Sequence, residues 1–282
     1  MKKKRYKIII QYDGTNFNGF QIQAKGRTVQ GEIQRVLKIM SKGIDIKIHG
    51  SGRTDSGVHA LGQVIHFDYP FPMPVENMQR AMNSLTTDEI EVYHVEMVDS
   101  DFHARYLAKG KKYIYRVDTS ENTNPFKRLY AKHHEYPINL PVLKQALKDI
   151  EGTHDFSSFC ATNSGRENKV RTVYEASVIE DKEKGELVFT FRGNGFLYNM
   201  VRIFIGTLLQ IANGRRPADD MKRLLEVKDR RQAGPTASPQ GLYLVEVFYD
   251  NKKATKGTIF ETLVADRTER SDDNPNTTKS VV

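Results

Sequence analysis

The apolar residues of this chain follow one pattern twice, and that repeat constrains the fold more than any other feature. An alternating stretch from Tyr6 to Tyr12 reads as a strand, and Thr28 caps a helix carrying Val29, Ile33, Val36, Leu37 and Met40 at helical spacing. Ile44 to Gly50 and Val64 to Tyr69 read as two more strands. Pro74 then opens a helix with Val75, Met78, Met82 and Leu85, followed by a strand from Ile90 to Val98. The order is β-α-β-β-α-β. It returns as a strand at Lys111–Val117, a helix at Leu140–Ile150, strands at Thr172–Ile179 and Leu187–Phe191, a helix at Phe196–Ala212 and a strand at Leu242–Tyr249. A further helix opens at Pro217.

Each such unit must cover one face of a sheet with its helices, which predicts an α+β fold of two ferredoxin-like halves, 1–105 and 106–250. Two antiparallel sheets with a cleft between them are the expectation. From Asn251 to Val282 the chain is rich in Lys, Thr, Asp and Asn, with few large apolar groups to offset ordering entropy, so 251–282 is expected to be a disordered tail.

Composition removes several classes of function. Cys160 is the single cysteine, too few for an intrachain disulfide or a thiolate zinc site. No apolar run approaches the ~20 residues of a membrane span, and the start, Lys2-Lys3-Lys4-Arg5, lacks a signal core, which points to a cytoplasmic protein. A net charge of +8 favours a polyanionic partner, nucleic acid first.

The most unusual segment is His49-Gly50-Ser51-Gly52-Arg53-Thr54-Asp55-Ser56-Gly57-Val58-His59-Ala60, where three glycines frame Arg53 and Asp55. Its spacing fits neither a dinucleotide fingerprint nor a P-loop. On pattern alone, Asp55 reads either as a turn or capping carboxylate or as a catalytic group. His49, Asp55, His59 and His66 offer metal-type ligands without a recognised ligand spacing. In the strand from Lys111 to Arg116, Tyr113 and Tyr115 share one face while Lys112 and Arg116 project from the other, which serves a core or a stacking platform beside phosphate-neutralising cations. The apolar helix around Met200-Val201-Arg202-Ile203-Phe204 sets Arg202 either in a buried ion pair or snorkelling to solvent.

Together these segments resemble the tRNA pseudouridine synthase A family, from the first strand to Tyr249. The resemblance rests on Tyr12-Asp13-Gly14 through Gly19-Phe20-Gln21, the block from Gly52 to His59, Asp101-Phe102-His103-Ala104-Arg105, Lys112-Tyr113-Ile114-Tyr115, Met200-Val201-Arg202 and Gly241-Leu242-Tyr243-Leu244, in the family's order. Phe20 departs from it, standing where many relatives carry Trp. The resemblance implies a pseudouridine synthase fold, isomerisation of uridine at positions 38 to 40 of the tRNA anticodon stem-loop, a homodimer, and no cofactor or metal. It implies that Asp55 is the catalytic aspartate, that Arg202 pairs with it, that Tyr113 stacks on the target base, and that Arg53 helps hold that base out of the helix. Thr54 joins them as a substrate-binding candidate, with Arg105, Lys112 and Arg116 as candidate RNA contacts. Two rivals remain at this point: a non-catalytic RNA binder and a metal-dependent RNA hydrolase using His59 and Asp55.

Overall fold

The computed structural model describes residues 3–162, 165 and 167–256. The first half runs β1 (Lys4–Tyr12), α1 (Val29–Met40), β2 (His49–Gly50), β3 (His59–Tyr69), α2 (Val75–Leu85) and β4 (Ile90–Val98). The second runs β5 (Gly110–Asp118), β6 (Lys132–His133), α3 (Leu140–Lys148), β7 (Gly152–Asp155), β8 (Val170–Asp181), β9 (Glu186–Gly193), α4 (Met200–Ala212), α5 (Asp220–Val227), β10 (Leu242–Phe248) and α6 (Asn251–Lys256).

The expectation of two sheets is corrected. One sheet of ten strands runs β4-β1-β3-β10-β5-β9-β8-β7, with β2 on β3 and β6 on β5. The halves are joined where β10 pairs parallel with β3, Tyr243 opposite His59 and Leu244 opposite Ala60, while its other edge runs antiparallel to β5. An unpaired edge at that place would leave buried N–H and C=O groups without partners, and pairing the last strand across the halves removes it. The result is a mixed α+β fold on a large, mostly antiparallel sheet.

Smaller differences have local causes. Only His49–Gly50 of the expected Ile44–Gly50 strand joins the ladder. Ile46 and Ile48 are buried, so the segment alternates like a strand, but the Ile48 N–H donates to Gln34 Oε1 at 3.4 Å and not to a neighbouring strand. The helix expected from Phe196 starts at Met200, because Asn199 adopts φ 60°, ψ 7°, the left-handed region. At the start of the 251–282 segment Asn251–Lys256 forms α6, whose Ala254 is buried and accepts at its carbonyl from Arg192 Nη1 at 2.9 Å. The rest of 251–282 lies outside the described residues.

Helices cover the sheet as the pattern requires. Thr28 Oγ1 accepts from the Gly31 N–H at 3.2 Å to start α1, and Val29, Ile33, Val36 and Leu37 of α1 are buried. In the second half Phe204 of α4 meets the rings of Phe156, Phe159 and Phe191 at 4.9 to 5.6 Å between centroids, which fixes α4 against β9.

Candidate active site

The loop after β2 carries Asp55 to the seam between the halves. Its backbone is tied to the first half by Ser51 N–H on Val64 O at 2.8 Å and Phe20 N–H on Thr54 O at 3.1 Å. Gly19 makes the second contact possible: its φ is +78°, and a Cβ there would sit 2.7 Å from Thr54 O. Phe20, buried, sets its ring edge against Gly50, where a Cβ would fall 2.5 Å from the ring.

Below the loop lies a buried polar network. Ser51 Oγ donates to Gln63 Oε1 at 2.6 Å, Gln63 Nε2 donates to Gly52 O at 3.1 Å, and the Tyr12 hydroxyl and Thr54 Oγ1 share a hydrogen bond of 2.8 Å. Lys111 Nζ adds a bond to Ser51 O at 3.0 Å. Gln63 is fully buried, and its amide satisfies groups of the loop on both sides. Thr54 therefore turns its hydroxyl into the interior, away from any ligand above the loop.

From the second half, Arg202 in the first turn of α4 reaches Asp55. Its Nη1 donates to Asp55 Oδ2 at 3.0 Å and to Asn199 Oδ1 at 3.0 Å, and its Nε donates to Ala237 O at 2.7 Å. The guanidinium is thus in an ion pair and not snorkelling. Gly206 lets the 233–237 segment lie on α4, since a Cβ at Gly206 would fall 1.8 Å from Pro235 O, and this approach brings Ala237 O within reach of Arg202.

Electrostatics set the state of the pair. Burial pushes the Asp55 carboxyl up, and the charge and hydrogen bond of Arg202 pull it down, with a net position above the ordinary carboxylate value. Tyr113 lies beside it, nearly buried, with its ring edge-on to Phe196 at 5.2 Å. Burial, then the fields of Tyr12 and Asp55, push its phenol up, and burial takes the Tyr12 phenol up to about 12, so both stay protonated near neutrality.

The other sequence candidates are placed differently. Arg53 is exposed on the Asp55 loop. Alternation along β5 sends Lys112 and Arg116 to the side of the sheet opposite Tyr113. There Arg116 is committed to Glu186, with Nε and Nη2 donating at 2.8 and 3.0 Å. Arg105 is exposed in the segment after β4, its backbone N–H on His103 Nδ1 at 3.1 Å. The histidines are engaged in hydrogen bonds and ring contacts. His59 Nδ1 accepts from the Gly14 N–H at 3.0 Å, His66 Nδ1 accepts from the Ala104 N–H at 3.2 Å, and His49 stacks on His66 at 4.9 Å. Among the described residues no group of three or more His, Cys, Asp or Glu side chains is placed to hold a metal ion.

A cavity of about 350 Å³ lies apart from Asp55, beside Arg5, Lys47, His49 and His66. Its carboxylates are paired, Asp68 with Arg5 at 2.7 Å and Asp45 with Lys38 at 2.9 Å, and the Arg5 hydrogen bond holds Asp68 below the ordinary carboxylate value, whereas burial holds Asp55 above it. Asp55 is the better candidate for chemistry.

Sequence reasoning missed Asn199, Gln63, Phe196 and the Ala237 carbonyl. Gln63 had a signal, a polar residue on β3 where Ile65 and Phe67 mark an inward face; Asn199 had none, because a left-handed backbone is not visible in its side chain.

The family model described as tRNA pseudouridine synthase matches residues 8–107 and 146–250. A tRNA pseudouridine synthase A of Latilactobacillus sakei is 55% identical over 246 residues, covering 87% of this chain and 99% of that protein. Its namesake in Lacticaseibacillus casei is 57% identical over 244 residues, covering 86% and 99%. A third, from Ligilactobacillus salivarius, is 54% identical over 250 residues, covering 88% and 98%. With a match of this extent and identity, the chain belongs to the tRNA pseudouridine synthase family, a family of isomerases.

Proposed function

We propose that the chain converts uridine to pseudouridine in tRNA, with Asp55 as its catalytic carboxylate, at positions 38 to 40 of the anticodon stem-loop, as a cytoplasmic homodimer. Family membership supports the reaction and the tRNA substrate. The Asp55–Arg202 ion pair at the seam of the two halves carries the residue assignment.

The reaction breaks the N1–C1′ bond, turns the detached uracil in place, joins C5 to C1′ and removes the proton from C5. Composition does not change, so neither oxidant nor energy source enters. A carboxylate near C1′ and C6 can act as nucleophile or stabilise positive charge on the sugar. Partial burial makes Asp55 more reactive, and Arg202 keeps enough of it ionised to act. Tyr113 offers an aromatic surface to an everted base, which offsets the few kcal/mol lost on unstacking. Burial, then the fields of Tyr12 and Asp55, keep its phenol protonated near neutral pH, so it meets the base as a hydrogen-bond donor. Arg53, exposed on the same loop, would enter the space the base leaves. Arg105 is free to meet phosphate, whereas Arg116 would first have to leave Glu186.

The test is release of tritium from tRNA labelled at C5 of uridine. The wild-type chain should release it, and Asp55→Asn should fall by at least about a thousandfold while still binding tRNA in a gel-shift assay. Full activity in Asp55→Asn would remove the assignment. Mapping pseudouridine in tRNA from cells lacking the chain should show positions 38 to 40 unmodified; modification retained there would refute the site preference.

A further inference from the structure

Asn199 stands out on two counts that the reaction does not require of it. It is one of three residues other than glycine with positive φ among those described, and of the three only Asn199 touches the Asp55–Arg202 pair. The left-handed conformation costs a side-chain-bearing residue about 1 kcal/mol, a strain that glycine escapes. Asparagine stands there although glycine would fit the backbone better. Its Oδ1 accepts from the same Arg202 Nη1 that donates to Asp55 Oδ2, both at 3.0 Å. With Ala237 O on Nε, the guanidinium has two acceptors besides its carboxylate partner.

We infer that Asn199 is a positioning residue for the isomerisation: its left-handed backbone turns Oδ1 onto Arg202 and so aims the guanidinium at Asp55. The inference rests on the reading of Asp55 as the catalytic carboxylate. Arg202 needs this help for a physical reason. It sits in the first turn of α4, where the helix dipole is positive and opposes a cation, so acceptors must hold it in place. The side chain is long, and without Oδ1 only Ala237 O and Asp55 itself would hold its direction against rotamer entropy.

The consequences differ between the two ends of the pH range. The groups coupled to Asp55 are Arg202 from α4 and Tyr113 from β5, while Tyr12 from β1 acts on Tyr113 and Tyr115 from β5 on Arg202. Burial keeps the three phenols neutral, and Arg202 is the cation that lowers the carboxyl. Loosening Arg202 lets burial act unopposed, Asp55 holds its proton to higher pH, and the acid limb of kcat moves upward.

Three variants test this with C5-tritiated tRNA and thermal melts. Asn199→Gly relieves the backbone and removes the acceptor. It should melt at or above the wild-type temperature, keep KM within about twofold, lose about tenfold to a hundredfold in kcat, and move its acid limb up by about one pH unit. Asn199→Asp keeps an acceptor on Arg202 but sets a second carboxylate near Asp55, so it should retain kcat on the alkaline plateau while its acid limb still moves up. A residue needed only for its backbone gives the reverse order, with Gly as active as wild type and Asp no better, and that result overturns the inference. Asp55→Asn, assayed alongside, separates the two readings. If it is inactive and Asn199→Gly is normal, the positioning role falls alone; if it is active, the assignment of Asp55 falls and takes the role of Asn199 with it.

Discussion

The two halves of the molecule hold their charged residues in opposite ways. Asp55 comes from the first half on a loop without regular structure, and its position depends on side-chain hydrogen bonds from Gln63, Ser51 and Tyr12 and on the backbone bond from Phe20 to Thr54. Arg202 comes from the second half on a helix, and α4 is set by aromatic packing of Phe204 against β9. A loop carboxylate can be placed finely but needs a polar brace beneath it. A helical cation has a firm base, yet here the helix dipole opposes it, so acceptors above the base must finish the placement. Neither half holds the ion pair alone. The parallel pairing of β10 with β3 registers the two contributions against each other.

Removing the cation breaks the comparison hardest. Arg202→Met should lower kcat by about a hundredfold to a thousandfold, because the stabilising charge and its fixed direction are both lost, while tRNA affinity stays within about twofold. Parallel losses in turnover and in gel-shift affinity would mean that Arg202 only binds RNA and that the halves do not divide the work in this way. Tyr113→Ala comes next. Losing a stacking surface worth about 1–3 kcal/mol per base predicts roughly a tenfold to hundredfold fall in kcat/KM, with Tyr113→Phe within a few-fold of wild type. If Phe is as damaging as Ala, the hydroxyl and not the ring is the essential part.

The brace of the first half is probed most gently at Tyr12. Tyr12→Phe deletes the hydroxyl that pairs with Thr54 and leaves the buried ring in place. One hydrogen bond of about 1 kcal/mol predicts about a fivefold fall in kcat and a Tm lower by a few degrees. A drop in Tm with kcat unchanged would show that the network steadies the fold without placing Asp55.

Helices and most strands were legible because each buries one face, and burial leaves a period in the sequence. The single sheet was not. It is closed by two residue pairs between β3 and β10, far apart in the chain, and such a contact leaves no periodic trace. Ile44–Gly50 misled for the converse reason, since Ile46 and Ile48 are buried by packing without a strand partner. In the site, Asp55 was visible through its glycine frame and Arg202 through its apolar helix. The commitment of Arg116 to Glu186 was not, because β-strand alternation gives the side of the sheet but not the partner found there, and the inward turn of Thr54 was not, because a loop without regular structure leaves no period.

The smallest expected effect is on stability, and it weighs burial of Asp55 against its attraction to Arg202. The folded-state carboxyl lies above its ordinary value of about 4, so the folded chain binds this proton more readily than the unfolded chain does. Above the raised folded pKa the ionised group costs stability. As pH falls through that pKa towards the unfolded value the cost is relieved, and below the unfolded value the contribution no longer changes. The amide of the Asp55→Asn variant does not titrate, so the Tm of wild type minus that of Asp55→Asn should increase from about pH 7 to about pH 4, modestly, because the side chain keeps contact with solvent. A difference that decreases on acidification would mean that Arg202 outweighs burial. The pair would then be a stabilising element of the fold, and the carboxylate would be held lower, as a weaker base and nucleophile than its position between the halves otherwise implies.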